Sequence, residues 1–100
     1  MLSIDRHVDG ATLTLVLEGR LDTGTSKQLD EEIKVIPDNI TELVIDMAKL
    51  EYLSSSGIRV LLVASKRMDD RGGTCVMANV PEIVMDVFEV TGLLKVFTIV

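Results

Sequence analysis

Ser54, Ser55 and Ser56 stand side by side and are followed at once by Gly57. Three adjacent hydroxyls can act as nucleophiles, as hydrogen-bonding groups or as phosphate acceptors, and the surrounding residues decide between these chemistries. A nucleophile needs a base, yet the sole histidine, His7, falls in a predicted first strand. With one cysteine, Cys75, and no second histidine, no triad or metal set can be completed. The serines are not framed as G-x-S-x-G, and the chain contains no G-x-x-x-x-G-K-[ST], so neither a nucleophile elbow nor a phosphate loop is present. The expectation is a protein that is not an enzyme and carries no cofactor or metal. Ser is among the preferred N-cap residues, which explains one of the three serines. Three exceed what a cap needs.

Several elements must hold this serine run. Leu2 to His7 and Ala11 to Glu18 bracket Asp9-Gly10, and Leu13, Leu15 and Leu17 alternate with Thr12, Thr14, Val16 and Glu18, as in a β-hairpin. Thr25 with Gln28 three residues on has the spacing of a capping box, and Leu29, Ile33 and Ile36 then share one face of a first helix ending near Ile36. Leu43-Val44-Ile45 predicts a middle strand buried on both sides. The serines open a second helix running to about Arg71, with Ile58, Leu61, Leu62, Ala64 and Met68 as its core stripe. Gly72-Gly73 closes it, and Thr74 to Ala78 forms a strand whose Cys75 is expected to be buried. Pro81 suits the first turn of a third helix bearing Ile83, Val84, Val87 and Phe88, which Gly92 ends, and Val96 to Val100 forms a last strand or an extended tail. A hairpin followed by alternating helix and strand predicts an α/β (α+β) fold, a mixed sheet of four to five strands with helices mainly on one side.

Composition narrows the function. One hundred residues at 47% hydrophobic content suit one core. A net charge of −6 argues against nucleic acid and anionic membranes as partners. No stretch approaches the roughly 20 apolar residues that span a bilayer, and no signal-peptide core follows Met1. A single cysteine among apolar neighbours points to a reduced thiol, and a cytoplasmic location is expected.

The run from Val44 through Asp46, Tyr52, Leu53, Ser54, Ser55, Ser56 and Gly57 to Leu62 resembles the signature of STAS domains, where an aromatic, an aliphatic, Asp or Ser, a phospho-acceptor Ser, a small residue and Gly follow a strand. Gly19-Arg20-Leu21-Asp22 resembles that family's G-x-L-D turn, Gly72-Gly73 its break before the next strand, and Phe88 to Leu93 its F-x-x-[ST]-G-L ending. The resemblance spans residues 2 to 100 and implies a single STAS domain over 1–100. The family usually continues past its last strand into a further amphipathic helix, so the expectation is a domain lacking that helix.

The resemblance implies an anti-sigma factor antagonist. Unphosphorylated, such a protein binds a serine-kinase anti-sigma factor and frees the sigma factor; phosphorylated, it releases the kinase until a serine phosphatase resets it. On this pattern Ser55 is the acceptor, Ser56 the small residue and Gly57 the glycine. Ser54 stands where many members carry Asp and is the competing hydroxyl. Asp22 is placed near the acceptor loop, where it orients that loop or meets the partner. Steps of 100° along the second helix set Val60 and Val63 among Arg59, Lys66 and Arg67, away from the core stripe, as a docking face. The expected partner-binding residues are therefore Asp22, Ser54, Ser56, Gly57, Arg59, Val60 and Val63, on a monomer or weak dimer. Two other readings compete: an unphosphorylated STAS scaffold subunit of a signalling assembly, and a small nucleotide-binding regulator, for which no glycine-rich loop is present.

Overall fold

Gly10 adopts φ 60° between Asp9 and Thr12, the positive value that the first central residue of a type II′ turn requires, and so folds β1 (Leu2–Asp9) back on β2 (Thr12–Leu21). The computed structural model describes residues 1–100. From β2 the chain continues through α1 (Ser26–Lys34), β3 (Glu42–Leu53), α2 (Ser55–Asp70), β4 (Thr74–Ala78), α3 (Glu82–Val90), a 3₁₀ turn (Leu93–Lys95) and β5 (Thr98–Ile99). The sheet has five strands in the order β1-β2-β3-β4-β5, antiparallel only between β1 and β2. This is the expected mixed sheet.

Each parallel step moves to the next strand in the same direction, so right-handed crossovers carry α1, α2 and α3 to one face. Burial agrees. Leu13, Leu15, Leu17, Leu43, Ile45, Met47 and Met77 are fully buried beneath the helices, whereas Thr14, Val16, Val44, Val76 and Ala78 on the opposite face are only half-buried. The expectation that the middle strand and the Cys75 strand are buried on both sides is therefore corrected, because helices cover a single face. Cys75 itself lies on the covered side and is buried. Its thiol is pushed up to about 11, first by desolvation, against a hydrogen bond from Ser65.

Two helix details also differ from expectation. Thr25 makes no side-chain cap for α1, because its hydroxyl is used in the preceding loop, and Gln28 donates from Nε2 to the carbonyl of Leu2 at 2.9 Å and so ties α1 to β1. Pro81 is the N-cap of α3 and not a residue of its first turn, and Ile83 is exposed while Val84 and Phe88 enter the core. The last segment is shorter than expected as a strand. Leu93–Lys95 forms the 3₁₀ turn, Phe97 tucks against Phe88 with ring centroids 5.1 Å apart, and Thr98–Ile99 alone pairs with β4.

Candidate functional site

The serine run lies where β3 ends and α2 begins, beside the end of the parallel partner β2. Its three hydroxyls do three different things. Ser54 is the N-cap of α2, with extended backbone (φ −94°, ψ 170°) and a side chain that accepts the N–H of Gly57 at 3.2 Å. Its own N–H donates to the Leu21 carbonyl at 2.9 Å, and its carbonyl accepts from Ile58 at 3.0 Å. Ser56 is half-buried, and its Oγ lies 3.4 Å from Thr23 Oγ1. Ser55 is the first residue of the helix, exposed, with no protein partner for its hydroxyl. A group attached there displaces nothing. It also stands at the end of the helix where free amides and the backbone dipole favour an anion.

Gly57 is the hinge between this loop and β2. A Cβ built on it would lie 2.7 Å from Leu21 Cγ and 3.0 Å from the Leu21 carbonyl, so only glycine lets α2 start this close to β2. Asp22 follows directly. Its Oδ1 accepts the backbone N–H of Thr25 at 3.0 Å and the Thr25 hydroxyl at 3.1 Å, while its own N–H donates to Thr25 Oγ1 at 2.9 Å. The Thr25 amide is the largest cause holding the Asp22 carboxyl below its ordinary value. Ser26 donates from Oγ to the Asp22 carbonyl. Asp22 thus builds the turn that leads into α1 and carries Thr23, whose hydroxyl reaches Ser56.

On the other side of this turn, Arg20 lies with its guanidinium 4.2 Å from the centre of the Tyr52 ring and its Nε 4.0 Å from Asp22 Oδ2. Register pairs Arg20 with Tyr52 and Leu21 with Leu53, so the aromatic and the arginine share the open face while the two leucines enter the core. The guanidinium is attracted to the face of the ring at the strand ends from which both loops depart.

Between α1 and α2 runs a groove of about 340 Å³ lined by Thr23, Ser26, Lys27, Asp30, Ser56, Arg59, Val60 and Val63. Arg59 and Val63 are exposed, as expected, with Val63 at 41%. Val60 differs. It is 8% exposed and belongs to the core, because α1 packs against α2 on that side, and it forms the floor of the groove instead of its rim. Leu62 differs in the opposite sense, at 36% exposed, with no helix over it. Lys27, Thr23 and Asp30 were missed by sequence reasoning. Lys27 and Asp30, three apart, share one face of α1, but nothing in the sequence set that face against α2.

The STAS domain family profile matches residues 3–100. BtrV of Bordetella bronchiseptica, which carries the name of an anti-sigma factor antagonist, is 31% identical over 99 residues, covering 98% of this chain and 84% of that protein. An anti-sigma factor antagonist from Mycobacterium paratuberculosis superposes with a TM-score of 0.86 at 22% identity, covering 99% of this chain and 85% of that one. The antagonist SpoIIAA in its unphosphorylated form superposes with a TM-score of 0.79 at 20% identity, over all of this chain and 88% of that one. Its phosphorylated form, from Bacillus, gives 0.76 over 100% of this chain and 91% of that one, also at 20% identity. At such identities these structures speak to the fold.

Proposed function

The chain belongs to the STAS domain family, and from that premise we propose that it is a cytoplasmic anti-sigma factor antagonist that switches partners through phosphorylation of Ser55. Unphosphorylated, it engages a serine-kinase anti-sigma factor and frees the sigma factor. Phosphorylated, it lets the kinase go until a serine phosphatase restores it. The observation that carries the reading is the division of labour in the serine run: Ser54 is committed to capping, Ser56 to Thr23, and Ser55 alone is exposed and unbonded. The names of the full-length relatives supply the regulatory class.

The physical chemistry is consistent with a switch that leaves the fold intact. A phosphoserine adds about −1.5 to −2 charges, and at the first position of α2 these meet free amides and the positive end of the dipole. The consequence falls on whatever docks beside it. The groove offers the exposed Val63, with Arg59 and Lys27 at its sides and the Asp22–Thr23 turn at its end, as the partner surface. A dianion at the rim of a docked interface brings repulsion and lost desolvated contacts worth a few kcal/mol, enough for about a hundredfold change in affinity.

The test uses single Ala variants at positions 54, 55 and 56, each incubated with ATP and the anti-sigma kinase with which the protein copurifies, with the phosphate located by fragmentation mass spectrometry. Phosphate is expected on wild type, Ser54→Ala and Ser56→Ala, and not on Ser55→Ala. Ser55→Ala should hold the kinase constitutively and Ser55→Asp weakly. Phosphate retained in Ser55→Ala overturns the acceptor assignment, and a kinase complex that leaves every variant unmodified favours a scaffold role for the domain.

A further inference from the structure

We propose that two copies of this chain associate through the free edge of β1, in a register centred on Arg6, joining their sheets into one. β1 is the outer strand, eight residues long, paired on one side only and regular along its whole pairing with β2. Its hydrogen-bonding phase is fixed at both ends. Arg20 donates its backbone N–H to the Met1 carbonyl at 3.0 Å, and the hairpin closes on Asp9 opposite Thr12. Odd-numbered residues of β1 therefore exchange bonds with β2, and Leu2, Ile4, Arg6 and Val8 turn their N–H and C=O groups outward. Such a row of free donors and acceptors is a template for another strand.

The side chains select a second copy and a register. A two-fold axis normal to the sheet sets even-numbered residues opposite even-numbered ones. Centring it on Arg6 places Ile4 opposite Val8 of the second copy and Asp5 opposite its His7, each pairing occurring twice. Centring it on Asp5 would set two carboxylates face to face. The meeting of the two Arg6 side chains is relieved because each is already bound to Glu32 of its own chain at 3.0 Å, so two ion pairs, not two bare cations, flank the axis. Two apolar residues at this edge otherwise lack cover. Val8 is 60% exposed and Val35 63%. Ile4 and Val35 line, with Gln28, Glu31 and Glu32, a groove of about 370 Å³ between β1 and α1 on the helix-covered face. Even-numbered side chains of β1 lie on that same face, since Ile4 pairs with the buried Leu17 and Val8 with the buried Leu13. Val8 of the second copy is thereby delivered opposite Ile4, at the mouth of the groove.

Sedimentation velocity on the full chain from micromolar to millimolar concentration tests the association. Wild type should shift from monomer to dimer, and Val8→Lys, a change at an exposed position that should leave the circular dichroism spectrum unaltered, should weaken the dimer by about tenfold or more. The register has its own readout. Asp5 and His7 of the second copy form a non-hydrogen-bonded pair with Cα atoms about 4.5 Å apart, within disulfide reach. Mixing Asp5→Cys with His7→Cys under oxidation should therefore give the mixed disulfide in excess over either like pair. A wild type that stays monomeric at millimolar concentration, a dimer that Val8→Lys leaves intact, or like disulfides as abundant as the mixed one would each overturn the proposal. The phosphorylation assays above do not depend on this outcome.

Discussion

Replacing Gly57 by Ala sets two effects of opposite sign against each other. In a helix interior Ala is favoured over Gly by about 0.8–1.0 kcal/mol, and Gly57 lies within the first turn of α2. Against that gain, the added Cβ would stand 2.7 Å from Leu21 Cγ and 3.0 Å from both Leu21 Cδ2 and the Leu21 carbonyl. Leu21 is fully buried, so its side chain has no solvent to move into. Overpacking of this kind costs roughly 1–3 kcal/mol. Because one clashing atom is backbone, relief also stretches the Ser54 N–H to Leu21 bond of 2.9 Å, worth about 1 kcal/mol more. The net expectation is a loss of roughly 1–3 kcal/mol, which for a domain of this size lowers Tm by about 4–24 °C. Thermal unfolding followed by circular dichroism reads it directly. The Gly57→Ala, Leu21→Val pair supplies the control, since removing a methylene from Leu21 should recover part of the loss and give a coupling energy of about 0.5 kcal/mol or more. A Tm for Gly57→Ala equal to or above wild type would refute the close approach of α2 to β2.

Ser54→Ala removes a cap and is expected to cost roughly 0.5–2 kcal/mol, whereas Ser55→Ala should change stability by no more than about 0.5 kcal/mol; chemical denaturation of the two variants side by side separates them. Val60→Ala should cost about 1–3 kcal/mol while Val63→Ala leaves stability unchanged and weakens kinase binding, measured by calorimetric titration. Cys75 is held neutral by burial, so its folded value of about 11 exceeds the ordinary 9.0, and the stability it contributes is complete below pH 9 and lost as pH rises towards 11. That amounts to about 2–3 kcal/mol, absent from a Cys75→Ala variant, and thiol alkylation of native protein at neutral pH should be slow compared with unfolded chain.

Local pattern made much of the fold legible. The hairpin, the strand at Thr74–Ala78 and the start of α2 at the serine run all follow from turn residues and periodicity confined to a few positions. What sequence could not supply depends on which element packs against which. Stepping α2 at 100° put Val60 outside the core stripe and Leu62 within it, and the reverse burial follows from α1 lying along one flank of α2 and nothing along the other. The Thr25 and Gln28 spacing suited a capping box, yet a competing Asx turn from Asp22 takes the Thr25 hydroxyl and the edge carbonyl of Leu2 takes the Gln28 amide. Apolar residues on both faces of β3 and β4 suggested two-sided burial, but the direction of the crossovers leaves Val44 and Val76 on an open face. At the site, a serine cap on α2 was legible because Ser54 meets the Gly57 amide only three residues on, and the Ser56 contact with Thr23 was not, because that partner comes from a distant loop that only the fold brings near.

The chain holds one tyrosine and no tryptophan, and that tyrosine is Tyr52, which carries the Arg20 guanidinium on its ring two residues before the serine run. Light absorbed and emitted by this protein in the near ultraviolet therefore comes mainly from a single phenol stationed at the end of the strand that feeds the acceptor loop. A cation at its face, a displaced loop or a docked protein each alters the environment of that one ring. The molecule carries its own optical gauge of the strand end beside the serine run, readable without an attached dye and free of background from any second tyrosine in the same chain.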